Sequence, residues 1–120
     1  MASSCVSAFV QRAGIAAIEG DQAPVREMMA AYRRRRNLLV QGLNNIPGIK
    51  CHLPGGAFYA FPNISSFGLS SEEFADLMLE KANVALLPGS NFGSQGEGFV
   101  RMVYASSESN IKRALERVAD

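Results

Sequence analysis

The sequence contains no tryptophan and a single histidine. His52 therefore stands alone, and a metal site built on histidines is excluded. Its neighbour Cys51 is the only nearby nucleophile, and adjacent side chains on an extended chain point to opposite faces. No nucleophile–base pair forms there, and no other residue reads as catalytic. Cys5 and Cys51 are far apart and match neither a CxxC nor a zinc-ligand spacing. They read as reduced thiols of a cytoplasmic protein, with one structural disulfide as the alternative. Charge of one sign is also missing: the formal net charge is +1, which gives no reason to expect nucleic acid or an anionic membrane as partner. No apolar run approaches the length of a membrane span. Residues 2–17 are moderately apolar, but Gln11 and Arg12 interrupt them and no basic segment precedes them, so no signal peptide is expected. Lysine is scarce as well, being confined to Lys50, Lys81 and Lys112.

What is present suits one small globular domain. Hydrophobic residues make up 48% of the 120-residue chain, enough to build a core. Val6, Phe9, Val10, Ala13, Ala16 and Ala17 recur at helical spacing and predict a helix over residues 4–19, ended by Gly20 and Asp21. Pro24 suits the first turn of a second, long helix. Its stripe is Val25, Met28, Met29, Tyr32, Arg36, Leu39, Val40 and Leu43, and Asn44, Asn45, Pro47 and Gly48 stop it. Arg33 to Arg36 fall all around that helix rather than on one patch, so they read as a solvated surface with some salt bridges. Short strands are expected at residues 49–53, 57–61, 84–87 and 99–104. Ser70 and Glu73 form a capping box for a helix carrying Phe74, Leu77, Met78 and Ala82. Ser106 or Ser107 caps a last helix with the stripe Ile111, Ala114, Leu115 and Val118. The predicted class is α+β: a small mixed sheet with helices on one face, preceded by two helices. The candidate boundary is at Gly20-Asp21, separating residues 1–20 from a domain of residues 21–120.

Three stretches carry a chemical signal. Arg101 sits inside the apolar strand Phe99-Val100-Arg101-Met102-Val103-Tyr104. A guanidinium in a half-buried strand is costly unless an anion meets it, and its planar fork matches a carboxylate. The glycine-rich turn Pro88-Gly89-Ser90-Asn91-Phe92-Gly93 precedes it and lets backbone approach a ligand. That loop fits no phosphate-binding pattern, because a strand rather than a helix follows it. Upstream lies Pro54-Gly55-Gly56-Ala57-Phe58-Tyr59-Ala60-Phe61-Pro62.

In order and spacing, these stretches resemble the C-terminal, small domain of pyridoxal-phosphate-dependent aminotransferases of the aspartate aminotransferase type. Ala13 to Gly20 is similar to an alanine-rich helix of that family, and Val25 to Asn37 is similar to its long interdomain helix. The resemblance implies that Arg101 binds the substrate α-carboxylate and that Phe92 lies beside the pocket. It implies pyridoxal 5'-phosphate as cofactor of the complete enzyme and an amino acid and a 2-oxo acid as its substrates. It further implies that the first helix packs on a large domain or a partner subunit, so a homo-oligomer is expected. None of the three lysines has the family's setting for the Schiff-base lysine, which lies a few positions after a serine and before a phosphate-holding arginine. The aspartate for the pyridine nitrogen and the ring-stacking aromatic are also missing. The expectation is thus a truncated or divided aminotransferase that binds no cofactor and is inactive alone. A stand-alone ferredoxin-like module that binds amino acids through Arg101 is the alternative. A basic helical adaptor using Arg33 to Arg36 is disfavoured by the charge balance.

Overall fold

The computed structural model describes residues 5–119. The chain divides within its second helix, between Ala30 and Ala31, into two compact units. The first unit contains α1 (Ala8–Glu19) and the beginning of α2 (Ala23–Asn44). Ser4, where the first helix is predicted to start, lies outside the described residues. Gly20 ends α1 as expected, and Gln22 closes the exposed carbonyls of its last turn, donating from Nε2 to Ala17 O at 2.9 Å and to Gly20 O at 3.0 Å. Asp21 Oδ1 accepts from the Ala23 N–H at 2.9 Å, which caps the start of α2. The apolar side chains of α1 are exposed: Phe9 by 78% and Ile18 by 81%.

The second unit holds the sheet and the core. Its strands are β1 (Tyr59–Ala60), β2 (Leu87–Pro88) and β3 (Val100–Val103), in the order β1-β3-β2. Both pairings are antiparallel, with Tyr59 opposite Val103 and Leu87 opposite Arg101. The observed sheet is thus antiparallel where a mixed one was expected. Residues 49–53 form no strand and join the sheet only through an isolated antiparallel bridge between Lys50 and Asn63. Asn44 takes the place of a neighbouring strand. Its side-chain amide donates to Cys51 O at 2.9 Å, and its carbonyl accepts from Cys51 N at 2.8 Å. These bonds satisfy the backbone against α2 instead of against another strand.

Helices cover one face of the sheet, as the apolar stripes indicate. Leu39, Val40 and Leu43 of α2 and Ile111 of α4 (Glu108–Ala119) pack on Ala60, Met102 and Tyr104. Phe74 of α3 (Ser71–Leu77) joins Ile64 and Val100 in a second cluster. The stripe of α2 is covered only in part, since Val25, Met28 and Met29 remain exposed. The capping box forms as predicted: Ser70 N donates to Glu73 Oε2 at 2.9 Å, and Glu73 N donates to Ser70 Oγ at 3.2 Å. A π-helical turn, Met78–Ala82, extends α3 and ends at Asn83, whose φ is +53°. Ser107 caps α4 by accepting from Asn110 N at 3.2 Å. Among the described residues no helix is long and apolar enough to cross a membrane, and no cluster of three potential metal ligands occurs.

Candidate functional site

The face of the sheet away from the helices is built by strand alternation. In β3 the core side receives Val100 and Met102, both buried, leaving Arg101 half-buried and Val103 exposed on the other side. On β1 the same alternation buries Ala60 and turns Tyr59 outward. The register sets Tyr59 opposite Val103, which makes it the diagonal neighbour of Arg101. Phe61, Phe99 and Phe92 extend the same surface: the rings of Phe61 and Phe99 stack at 5.3 Å, and Phe61 meets Phe92 edge-on at 6.1 Å.

Arg101 lies within this aromatic patch. Its Cζ is 4.5 Å from the centroid of the Tyr59 ring and 4.4 Å from that of the Phe92 ring. Both distances fall within the range in which a ring quadrupole attracts a cation. Among the described residues the ion pairs are Arg26–Asp21 and Arg34–Glu108, so no acid neutralises Arg101. Its Nε is buried and has no hydrogen-bond acceptor. A buried cationic donor without a partner is costly, and a carboxylate would relieve that cost through two parallel N–H···O bonds.

The loop that carries Phe92 is shaped by its glycines and fastened by one acid. Gly89 and Gly96 are buried against each other, and a Cβ on either would collide with the carbonyl oxygen of the other. Glu97 then ties the loop to the start of α3, accepting from Ser71 N at 2.8 Å and from Ser71 Oγ at 2.9 Å. Ser71 is fully buried, and its hydroxyl also meets Ser90 Oγ at 3.1 Å. The Ser71 hydrogen bonds hold the Glu97 carboxyl below the ordinary glutamate range.

The stretch upstream of β1 is held by two side chains. Arg36 Nη1 donates to Pro54 O at 3.0 Å, and the buried Tyr104 hydroxyl donates to Ala57 O at 3.0 Å. Burial pushes the Tyr104 phenol up, with nearby Arg36 opposing in part. Ala57 adopts a left-handed φ of +59°, which explains why β1 begins later than the predicted residue 57.

A groove of about 450 Å³ lies elsewhere, between residues 83–87 and α4. Leu39, Leu86, Ile111 and Ala114 give it an apolar lining, and Arg113 and Arg117 stand along it. Arg101 borders this groove, but its guanidinium is engaged by Tyr59 and Phe92. The aromatic patch, where the unpartnered donor lies, is therefore the candidate site.

The structure brings Arg101 and Phe92 into contact. Tyr59, read from the sequence only as a strand former, is the third member of the cluster. Its signal was period-two placement opposite β3, which becomes visible only once the pairing of β1 with β3 is known.

The residues present do not fit a pyridoxal phosphate site. Lys50, Lys81 and Lys112 are all exposed, whereas an amine that forms a Schiff base must be desolvated to be unprotonated and nucleophilic. Cys5 is exposed and Cys51 buried, and neither is in a disulfide. Burial raises the Cys51 thiol above its usual value, which makes it a poor nucleophile.

Comparison with known proteins agrees with this architecture. The family model for aminotransferase class I and II matches residues 1–118. The aspartate aminotransferase of Pyrococcus horikoshii is 48% identical over 115 residues, covering 94% of this chain and 29% of that protein. The aromatic-amino-acid aminotransferase 2 of Thermococcus litoralis is 42% identical over 118 residues, covering 97% of this chain and 30% of its own. The crystal structure of the aspartate aminotransferase from Rhizobium meliloti superimposes with a TM-score of 0.90 at 39% identity, over 98% of this chain and 32% of that one. The chain belongs to the class I and II aminotransferase family. It spans about 30% of the length of the relatives it matches. The ferredoxin-like module considered as an alternative finds no support in these matches.

Proposed function

We propose that this chain supplies the substrate-carboxylate side of a pyridoxal-phosphate-dependent aminotransferase, an enzyme that moves an amino group between an amino acid and a 2-oxo acid. Arg101 takes the α-carboxylate through its guanidinium fork, and Phe92 forms the adjoining pocket wall. The observation that carries this reading is the Arg101 guanidinium: a cation in contact with two rings, with a buried Nε that lacks an acceptor and, among the described residues, no ion-pair partner. An anionic ligand supplies what that arrangement lacks.

Pyridoxal phosphate acts as an electron sink in such enzymes. With its three lysines exposed, this chain offers no amine suited to holding the cofactor covalently. The cofactor and the bond-breaking chemistry therefore belong to polypeptide other than these 120 residues. What these residues can do is bind one carboxylate, orient it in the plane of the guanidinium and shield one side with aromatic surface. We place this work in the cytoplasm, with both cysteines as thiols. The domain boundary near Gly20-Asp21 belongs to the same reading, with α1 serving as a contact to a large domain or a second subunit.

The test is direct. The purified chain is incubated with pyridoxal phosphate and an amino donor, and its absorption spectrum and product are followed. No cofactor–lysine band and no 2-oxo acid product are expected. A saturable band or turnover would show that the isolated chain is itself the enzyme.

A further inference from the structure

We propose that Tyr59 is a positioning residue for Arg101, forming with Phe92 a two-sided aromatic vise that fixes the plane of the guanidinium before any ligand arrives. The proposal rests on the carboxylate reading above and adds a role for a residue that touches the arginine rather than the ligand.

Three observations converge on it. First, the two rings lie at nearly equal distances from Arg101 Cζ, 4.5 Å and 4.4 Å. A guanidinium tolerates this double contact because its charge is delocalised and weakly hydrated, unlike that of an ammonium. Second, the hydrogen bonds and ion pairs that usually orient an arginine are absent among the described residues: Nε has no acceptor, and Arg101 is in neither ion pair. The rings are the contacts identified on the guanidinium, so its orientation depends on them. Third, the two jaws have different supports. Tyr59 belongs to β1, is paired with Val103, and packs on Phe58 with centroids 4.5 Å apart. Phe92 rides on the glycine loop, is half exposed, and depends on the Glu97 tether. Tyr59 is therefore the fixed jaw and Phe92 the adjustable one.

The phenol of Tyr59 plays no part in this assignment, so a phenyl ring should serve equally well. An orientation fixed in advance lowers the ordering cost when the carboxylate binds. Removing the fixed ring should weaken carboxylate binding by about twofold to twelvefold, the ordering cost of one long side chain that is no longer held in advance.

The experiment uses the full chain, isotopically labelled, with sodium maleate as the carboxylate probe and sodium chloride at matched ionic strength as control. NMR follows the Arg101 Nε–Hε signal in two measurements: its order parameter without ligand, and its shift on titration. Four variants are compared: Tyr59→Phe, Tyr59→Leu, Phe92→Leu and Arg101→Lys. Tyr59→Phe is expected to keep both the order parameter and the affinity. Tyr59→Leu is expected to lower the order parameter and weaken maleate by the factor given, and Phe92→Leu to do the same to a smaller extent. Phe92 is half exposed within the loop between β2 and β3 and outside both core clusters, so Phe92→Leu is the variant that keeps the fold should Tyr59→Leu disturb β1. Arg101→Lys is expected to abolish the saturable response, read from neighbouring amides.

If wild type and Tyr59→Leu share the same order parameter and affinity, the vise is overturned while the carboxylate reading stands. If maleate gives no saturable shift in the wild type, the carboxylate reading fails, and the ligand-free order parameters still decide whether Tyr59 holds the arginine.

Discussion

At the residue scale, the site depends on a few side chains that satisfy or strain specific backbone groups. Ala57 holds a left-handed φ of +59°, a conformation that costs a residue with a Cβ about 1–2 kcal/mol. Glycine removes that cost and gives back part of the gain through its larger unfolded-state entropy. Ala57→Gly is therefore expected to raise stability by about 0.5–1 kcal/mol in urea denaturation. Tyr104→Phe removes the hydrogen bond to Ala57 O in a buried setting and is expected to lower stability by about 1 kcal/mol. The two changes meet at residue 57, one at its φ and one at its carbonyl, so the double variant should depart from additivity. Glu97 gives a pH dependence. Its folded-state carboxyl titrates below the ordinary value of about 4.3, held down by the Ser71 N–H and hydroxyl. Its stabilising effect is complete above the unfolded value and disappears as pH falls through the lower folded one. The thermal midpoint of the wild type should therefore exceed that of Glu97→Gln at pH 7, and the gap should close as pH falls through the lowered folded-state value. A gap that stays constant across that range would refute this role for the carboxylate.

At the element scale, the loop between β2 and β3 relies on two glycines that meet backbone to backbone. Gly96→Ala would drive a methyl group into the Gly89 carbonyl. An expected loss of about 1–3 kcal/mol follows from forced overpacking, with broadened signals from Phe92 in NMR as the local readout. This element also shows what sequence patterning could and could not reveal. The capping box at Ser70 and Glu73, the end of α1 at Gly20 and the Ser107 cap were all legible, because each depends on neighbours within four residues. The strands were predicted too long and one too many. Their extent depends on partners: residues 49–53 have strand-like composition, yet Asn44 satisfies the backbone at Cys51. Tyr59 was missed as part of the site for the same reason, since its position beside Arg101 follows from a pairing that no local pattern encodes.

At the scale of the whole molecule, α1 presents Phe9, Val10, Ile15 and Ile18 to solvent, with no buried residue along its length. Exposed apolar patches of this kind mark surfaces that other proteins or further copies cover. The isolated chain is expected to self-associate at high protein concentrations in sedimentation velocity, and the double substitution Phe9→Glu with Ile18→Glu to return it to a monomer. A monomeric wild type at those concentrations would count against a role for α1 as a contact helix.

The sequence alone determined the helices, their caps, the helix-covered face of the sheet and the candidate arginine. Those properties depend on spacing, local hydrogen bonding and the cost of placing a charge in an apolar strand, all of which are written in consecutive residues. Only the tertiary structure decided that the sheet is antiparallel, that Glu97 fastens the glycine loop to α3, and that Tyr59 and Phe92 both lie against Arg101. Those contacts join residues separated along the chain, and cross-strand register, which brings them together, is fixed by the packing of the folded core.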